Sequence, residues 1–261
     1  MRFGCFGFAG DIDSIASAGF DSAELDLMEL SRMTDAQFRA FAARARGTGL
    51  GFEAFSGFMP LTERIHDPAF SAPKWFDHAK KCAERTRELG AVLWPMGAGR
   101  CRSLPEGAAD ESAAKARVAD FFGGVARAIG GYGILLAVEP LGPAYSNYLQ
   151  KIGEVAEFAR SLGVSNCRAM CDLRHMLAAS DPMEAIGENA DALSHAHIDY
   201  PVGPERRFPA PNDGMDYRPY VAALKRAGYQ GLLTVEATSY RNLALEAARS
   251  ARYLRALWAE A

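Results

Sequence analysis

Eight short apolar runs rich in β-forming residues alternate with longer segments of helical period, and this alternation constrains the fold more than any other feature of the chain. The runs occupy residues 2–7, 23–27, 51–55, 91–96, 134–139, 168–172, 193–198 and 232–236. Between them the helix ends are marked. Thr34-Asp35-Ala36-Gln37 reads as a capping box, and Asp181 before Pro182 as an N-cap followed by a first-turn proline. Gly19, Gly90, Gly163 and Gly228 each stand after a helical run and before a strand, where a left-handed residue closes a helix at little cost. In the last segment Leu243, Ala247, Ala251, Leu254 and Trp258 recur at helical spacing, so one face packs inward. Eight such units without a Pro/Gly/Ser-rich linker predict one closed parallel (β/α)8 TIM barrel over residues 1–261, with an open doubly wound sheet as the alternative.

Composition excludes several partners. A hydrophobic share of 49% with 23% charged residues supports a large core. A formal net charge of -3 offers no general attraction to nucleic acid or anionic lipid. The five cysteines are an odd number in a long chain, which points to reduced thiols and a cytoplasmic setting. Residues 1–8 are apolar but are followed at once by Gly10 and Asp11, unlike a signal peptide, and no stretch reaches the roughly 20 apolar residues of a membrane span. The expected partner is a small molecule, with no nucleic acid and no membrane.

The longest non-periodic stretches, residues 56–74, 97–110, 141–149 and 201–215, all follow strands, on the rim where such barrels build their sites. Four late strands also break a rule of burial. A strand covered on both faces should be apolar throughout, because an unpaired carboxylate there costs several kcal/mol. Yet these four strands end in Glu139, Asp172, His197 and Glu236. Each polar residue stands at the C-terminal end of its strand, so in a barrel the four converge. Three carboxylates and an imidazole at one point call for a cation, and a hard or borderline ion, Mn2+, Mg2+, Co2+ or Zn2+, suits that donor set.

Val138-Glu139-Pro140-Leu141, Cys171-Asp172-Leu173-Arg174-His175-Met176, His195-Ala196-His197-Ile198 and Leu233-Thr234-Val235-Glu236 resemble the xylose isomerase-like TIM barrels, and look nearest to sugar isomerases and epimerases of the ketose 3-epimerase type. The resemblance runs from Gly19-Phe20-Asp21 to the last helix and implies a metal held by Glu139, Asp172, His197 and Glu236. It also implies that Glu139 and Glu236 move a proton at the carbon next to a carbonyl, with an enediolate stabilised by the metal. His175 then binds a substrate oxygen, Arg207 matches an arginine that precedes a proline and contacts substrate, with Arg206 as the other possible register, and a homodimer or homotetramer is expected. One departure stands out. The Asn-Arg pair and second acid that usually follow Glu-Pro-Leu are replaced by Gly142-Pro143-Ala144-Tyr145-Ser146-Asn147, which leaves Asn147 and Tyr145 to bond a hydroxyl and withdraws support for a ketohexose.

Other candidates have two readings each. His195 shares a strand face with His197 and is either its support or the ligand itself, and Asp199 on the same face is expected to orient an imidazole or to be solvated. Arg100 or Arg102 after Gly97-Ala98-Gly99 would hold an anion if that loop were built for one. Glu24, Asp26 and Glu53 either reach substrate across the mouth or cap helices and pair with arginines. The function expected is a metal-dependent sugar isomerase or epimerase acting on a carbohydrate. A dehydratase of inosose-type keto-polyols is the alternative, and a metal-dependent endonuclease is disfavoured by only five histidines and no basic track.

Overall fold

Eight parallel strands form one sheet in the computed structural model, which describes residues 1–107 and 110–261. They are β1 (Arg2–Gly7), β2 (Ser22–Asp26), β3 (Phe55–Ser56), β4 (Leu93–Met96), β5 (Leu135–Val138), β6 (Cys167–Asp172), β7 (Leu193–Ile198) and β8 (Leu232–Val235). The helices are α1 (Ile12–Ser17), α2 (Leu27–Arg32), α3 (Asp35–Gly47), α4 (Ala72–Leu89), α5 (Glu111–Gly130), α6 (Ile152–Ser161), α7 (Leu173–Ala178), α8 (Glu184–Glu188), α9 (Arg218–Arg226) and α10 (Leu243–Glu260).

The strand order is β3-β2-β1-β8-β7-β6-β5-β4. Its two ends meet through a parallel bridge between Ala54 and Leu93, reinforced by the amides of Val92 and Leu93, which donate to the Glu53 carbonyl at 2.9 and 3.1 Å. A sheet in which β1 pairs with β8 and β3 with β4 is a (β/α)8 barrel, so the doubly wound alternative is overturned. The third strand is shorter than its apolar run predicts. The Glu53 carboxylate turns back over Gly51 to accept from Ser22 Oγ and from Arg2, and only Phe55 and Ser56 pair regularly with β2.

Thr34 and Gln37 close the expected capping box, with Gln37 N donating to Thr34 Oγ1 at 3.3 Å and Thr34 N to Gln37 Oε1 at 2.8 Å. The four helix-stop glycines all adopt positive φ, between 64° and 104°. Asp181 requires a correction. α8 starts at Glu184, and the Asp181 carboxylate accepts the amide of Ile152, first residue of α6, at 2.8 Å. It caps a helix from outside that helix's own sequence. On α10, Ala247, Ala251 and Leu254 are buried and Trp258 is half-buried. No described helix is long and apolar enough to cross a membrane.

Strand periodicity builds the barrel interior in two layers. Ala54, Leu93, Ala137, Met170 and Leu232 pack together as a small apolar plug inside the ring, apart from the main core between sheet and helices. Two residues further along their strands, on the same face, come Glu139 after Ala137 and Asp172 after Met170, while Glu236 follows Leu232 by four. The apolar layer thus ends and a polar layer begins at the C-terminal rim. The loop expected over residues 97–110 lies on that rim and contains a short 3-10 turn (Gly99–Arg102); its residues 108 and 109 lie outside the described part.

Candidate metal centre

β5, β6, β7 and β8 are consecutive neighbours, and Asp172 pairs directly with His197 in the ladder. Glu139 and Glu236 sit one residue beyond their strands yet continue the hydrogen bonding, their amides donating to the carbonyls of Met96 at 3.2 Å and Ile198 at 3.0 Å. This shared height brings one ligand atom from each of Glu139, Asp172, His197 and Glu236 within 4.8 Å of all the others. His197 Nδ1 lies 3.6 Å from Glu139 Oε1, 3.8 Å from Asp172 Oδ2 and 3.3 Å from Glu236 Oε2.

The protonation of His197 is set from behind. Glu24 in β2 is fully buried and places Oε1 at 3.1 Å from His197 Nε2 and Oε2 at 2.9 Å from His195 Nε2. A carboxylate only accepts, so each Nε2 carries the hydrogen and His197 Nδ1 is left with its lone pair. That nitrogen and Glu139 Oε1 are both buried without a hydrogen-bond partner. A lone pair and three carboxylates aimed at one point repel one another unless a cation stands among them, which is the fit expected for a divalent ion. The proton shows the same demand. Burial alone would lower the His197 pKa, but the charge of Glu24 behind the ring, with the carboxylates of Glu139 and Glu236 in front of it, raises it well above the usual imidazole range.

Arg206 is the other cation of the site. It donates to Glu236, its Nη1 lies 3.7 Å from both Asp172 Oδ2 and Asp199 Oδ2, and it is largely buried. Burial would raise the Asp172 carboxyl, but the side chains of His175, Arg206 and His197 outweigh it and hold it at about 2. Glu236 is likewise pulled below the usual range against its own burial, chiefly by Arg206 and His197. His175 is fully buried at the start of α7, whose first turn is capped by Asp172 accepting the His175 amide at 3.1 Å. Its Nδ1 accepts the Gly142 amide at 3.2 Å, and its Nε2 stands 3.2 Å from Nη2 of Arg206, a guanidinium that can only donate, and 3.7 Å from Glu139 Oε1.

Two expected substrate residues lie elsewhere. Arg207 is half-exposed, its guanidinium 4.0 Å from the centre of the Tyr200 ring and 3.8 Å from Glu205, so the register of this loop brings Arg206 and not Arg207 to the cluster. Asn147 binds Leu104, accepting its amide at 2.8 Å and donating to its carbonyl at 3.0 Å, which spends the amide on joining two loops. The remaining alternatives resolve similarly. His195 supports Glu24 and does not face the cluster's carboxylates. Asp199 binds Nε of Arg174 with both oxygens, at 3.1 and 2.8 Å, and orients no imidazole. Arg102 is fully buried and donates to the carbonyls of Glu139 and Leu149 at 2.8 and 2.7 Å, so it fixes the backbone of a cluster residue and is closed to anions. Of the early acids, Glu24 stands behind His197, Asp26 caps α2 by accepting the Glu29 amide at 2.6 Å, and Glu53 pairs with Arg2.

Arg174 had no assigned role in the sequence, although it lies two residues from Asp172. Besides Asp199, its guanidinium donates to the carbonyls of Gly203, Tyr200 and Glu205 at 2.7, 2.5 and 2.9 Å. It pins the loop that carries Arg206. Gly97 is a second such support, because a Cβ there would strike the Glu139 carboxylate and Leu141.

The cluster forms one wall of an open cleft of about 480 Å³, whose other wall comes from the early strands and their loops and includes Phe6, Phe8, Phe58 and Leu61. Of the other aromatic residues near the early strands, Phe55, Trp75 and Trp94 belong to the core. The five cysteines are free and buried, and Cys167 and Cys171 pack in the core.

The fold has counterparts. A D-psicose 3-epimerase from Clostridium cellulolyticum H10 superposes with a TM-score of 0.83 at 17% identity, over 99% of each chain. An L-ribulose 3-epimerase gives 0.82 at 19%, over 99% of this chain and 95% of the other. A 3-keto-D-glucoside 4-epimerase from E. coli gives 0.81 at 19%, over 98% and 99%. At these identities the likeness is one of fold. The family model described as xylose isomerase-like TIM barrel matches residues 12–257. A match over that span establishes descent as well as shape: this chain is a member of the xylose isomerase-like TIM barrel family.

Proposed function

We propose that the protein is a divalent-metal-dependent sugar isomerase or epimerase, moving a proton at the carbon next to the carbonyl of a polyhydroxy carbonyl compound by way of an enediolate. The observation that carries this reading is the convergence of Glu139, Asp172, Glu236 and the unpartnered His197 Nδ1 on one point in the wall of a cleft. Those four residues would hold the ion, and their nitrogen and oxygen donors suit Mn2+ or Mg2+ first, with Co2+ or Zn2+ also compatible. When bound, the ion supplies Lewis-acid stabilisation of negative charge developing on the substrate's oxygens.

The protein side chains divide the remaining work. Glu139 and Glu236 arise from β5 and β8, on either side of β6 and β7, so two carboxylates flank the reacting carbon. Glu139 Oε1 has no hydrogen-bond partner and is free to take a proton. Arg206 keeps Glu236 ionised, and its guanidinium, which also reaches His175 Nε2 at 3.2 Å, can donate to a substrate oxygen in the cleft. Similar barrels solved as epimerases of D-psicose, L-ribulose and a keto-glucoside support the class of reaction. Dehydration of a keto-polyol is a second reading, favoured by the same pair of flanking carboxylates, one of which would take the proton from carbon while the other, as its acid form, protonates a departing hydroxyl.

The test is solvent-deuterium uptake by ketoses, aldoses, inososes and keto-glycosides, followed by NMR, before and after removal of metal with a chelator. The reading expects exchange that disappears on chelation and returns with Mn2+ or Mg2+, with an isomer or epimer as product. Exchange indifferent to chelation, or none with any of these compounds, would overturn it.

A further inference from the structure

We infer that the substrate is an unphosphorylated keto sugar linked to an aromatic aglycone, and that the aglycone ring lies against Phe8, Leu61 and Tyr145 at the mouth of the cleft. This deepens the proposed activity and rests on it for the position of the sugar ring beside the cluster.

The cleft has two unlike halves. The late strands contribute the acids, His175 and Arg206, whereas β1 to β4 and their loops contribute a nearly continuous apolar wall that includes Phe6, Met28, Phe58 and Met59. Three side chains at its rim remain exposed: Phe8 at 43%, Leu61 at 72% and Tyr145 at 37%. Among the described residues they are three of seven large apolar side chains left in water, and all three line this one cleft. Clustered exposed apolar surface in a concavity marks a ligand that covers it. Phe8 is also held in place, its ring edge-on to Phe6 at 5.7 Å, and Tyr145 stands edge-on to His175 at 5.0 Å. Fixed rings of this kind suit another ring.

The hydroxyl-rich end of a simple ketose would fare poorly there. The polar side chains on the early-strand wall are Asp26 and Ser56, and one Asp26 oxygen already accepts the Glu29 amide. The several hydroxyls of a ketose, stripped of water against such a wall, outnumber the partners it offers, the Ser56 hydroxyl and one Asp26 oxygen, and a site selects against those left unpaired. A phosphate is also unsuited. Among the described residues Arg206 is the one Lys or Arg lining the cleft, and it is engaged by Glu236 and faces Asp172. Arg102 is spent on backbone carbonyls and Arg207 on Tyr200. Size agrees: about 480 Å³ lies in the range of roughly 300–1,000 Å³ that takes ligands of more than one ring.

The test compares phenyl and methyl keto-glucosides of identical keto position, together with a ketohexose phosphate, by solvent-deuterium uptake with the metal-loaded enzyme. Independently, calorimetry measures binding of phenyl and methyl β-glucoside, which do not react. The inference expects kcat/KM for the phenyl compound at least about tenfold above the methyl compound, and the phosphate the poorest of the three. Phe8→Ser and Leu61→Ser, both at exposed positions, should bring the phenyl-to-methyl ratio close to one. Exchange with equal kcat/KM for phenyl and methyl, or a preference for the phosphate, overturns the inference and leaves the proposed activity standing. Absence of exchange together with tighter binding of phenyl glucoside overturns the activity and leaves the apolar subsite standing. Absence of exchange with no preference in binding overturns both.

Discussion

Glu24 and His197 share a hydrogen bond inside the barrel, 3.1 Å from Oε1 to Nε2, with both side chains almost wholly buried. The bond decides which nitrogen of His197 carries hydrogen and so which one faces the three carboxylates. Glu24 belongs to β2 and His197 to β7, so the orienting contact crosses the barrel interior. A carboxylate behind a ligating imidazole commonly changes metal affinity by roughly 10- to 100-fold. Glu24→Gln keeps the volume and removes the charge, and it should weaken Mn2+ binding by that factor in a calorimetric titration while circular dichroism stays native. Undiminished affinity would show that Glu24 does not hold the ring.

Gly97 is needed for space alone. Its backbone is not in the left-handed region, yet an added Cβ would meet the Glu139 carboxylate and a Leu141 methyl. Gly97→Ala should therefore displace Glu139 and lower kcat by roughly 100-fold, the scale set by a displacement of about 1 Å in a reacting group. Thermal stability should fall little, since what yields is the end of one side chain at the rim and not the packed core. Full activity in Gly97→Ala would mean that the Glu139 position is not critical.

Adjacent arginines should differ sharply. Arg206 lies in the cluster with Glu236, whereas Arg207 covers Tyr200 in partial contact with solvent. Arg206→Ala leaves Glu236 buried without its cation and should reduce kcat/KM by roughly 100-fold or more, and Arg206→Lys should restore only part because one ammonium cannot reach Glu236 and His175 together. Arg207→Ala should cost less than about threefold. The reverse ranking would place Arg207 at the substrate.

The thiols should be inert. Burial pushes Cys82, Cys101, Cys167 and Cys171 up to about 12 and Cys5 higher still, so all five stay protonated at pH 8, and a thiolate fraction appears only as pH climbs toward those values. Ellman's reagent at pH 8 should find no rapidly reacting thiol in the native protein and five in guanidinium. A fast-reacting native thiol would reveal an opening of the core.

The barrel and its four-residue cluster were legible because each rests on a local rule. Alternation of periods marks strands and helices, and Glu139, Asp172, His197 and Glu236 stand out as charges ending apolar strands. Glu24 carried no such mark. It lies inside Ser22-Ala23-Glu24-Leu25-Asp26, where alternating polar and apolar residues read as an ordinary half-exposed strand, and its partner is 173 positions away. Arg206 was not separable from Arg207 because an irregular loop has no period. Its register is set by Arg174 holding the carbonyls of Tyr200, Gly203 and Glu205, a contact from another element. Asp181 looked like the cap of the helix after it for the same reason: local sequence shows that a residue can cap, and the fold decides which helix receives it.

The proton-transfer pair is tested most directly by Glu139→Gln and Glu236→Gln, loaded with Mn2+ after calorimetry has established the occupancy of each, and assayed for solvent-deuterium exchange into a substrate that the native enzyme labels. Each amide keeps an oxygen donor for the ion but cannot accept the proton. The account predicts metal-loaded variants in which exchange falls by at least about 100-fold. Exchange at native rates in either fully loaded variant would contradict it.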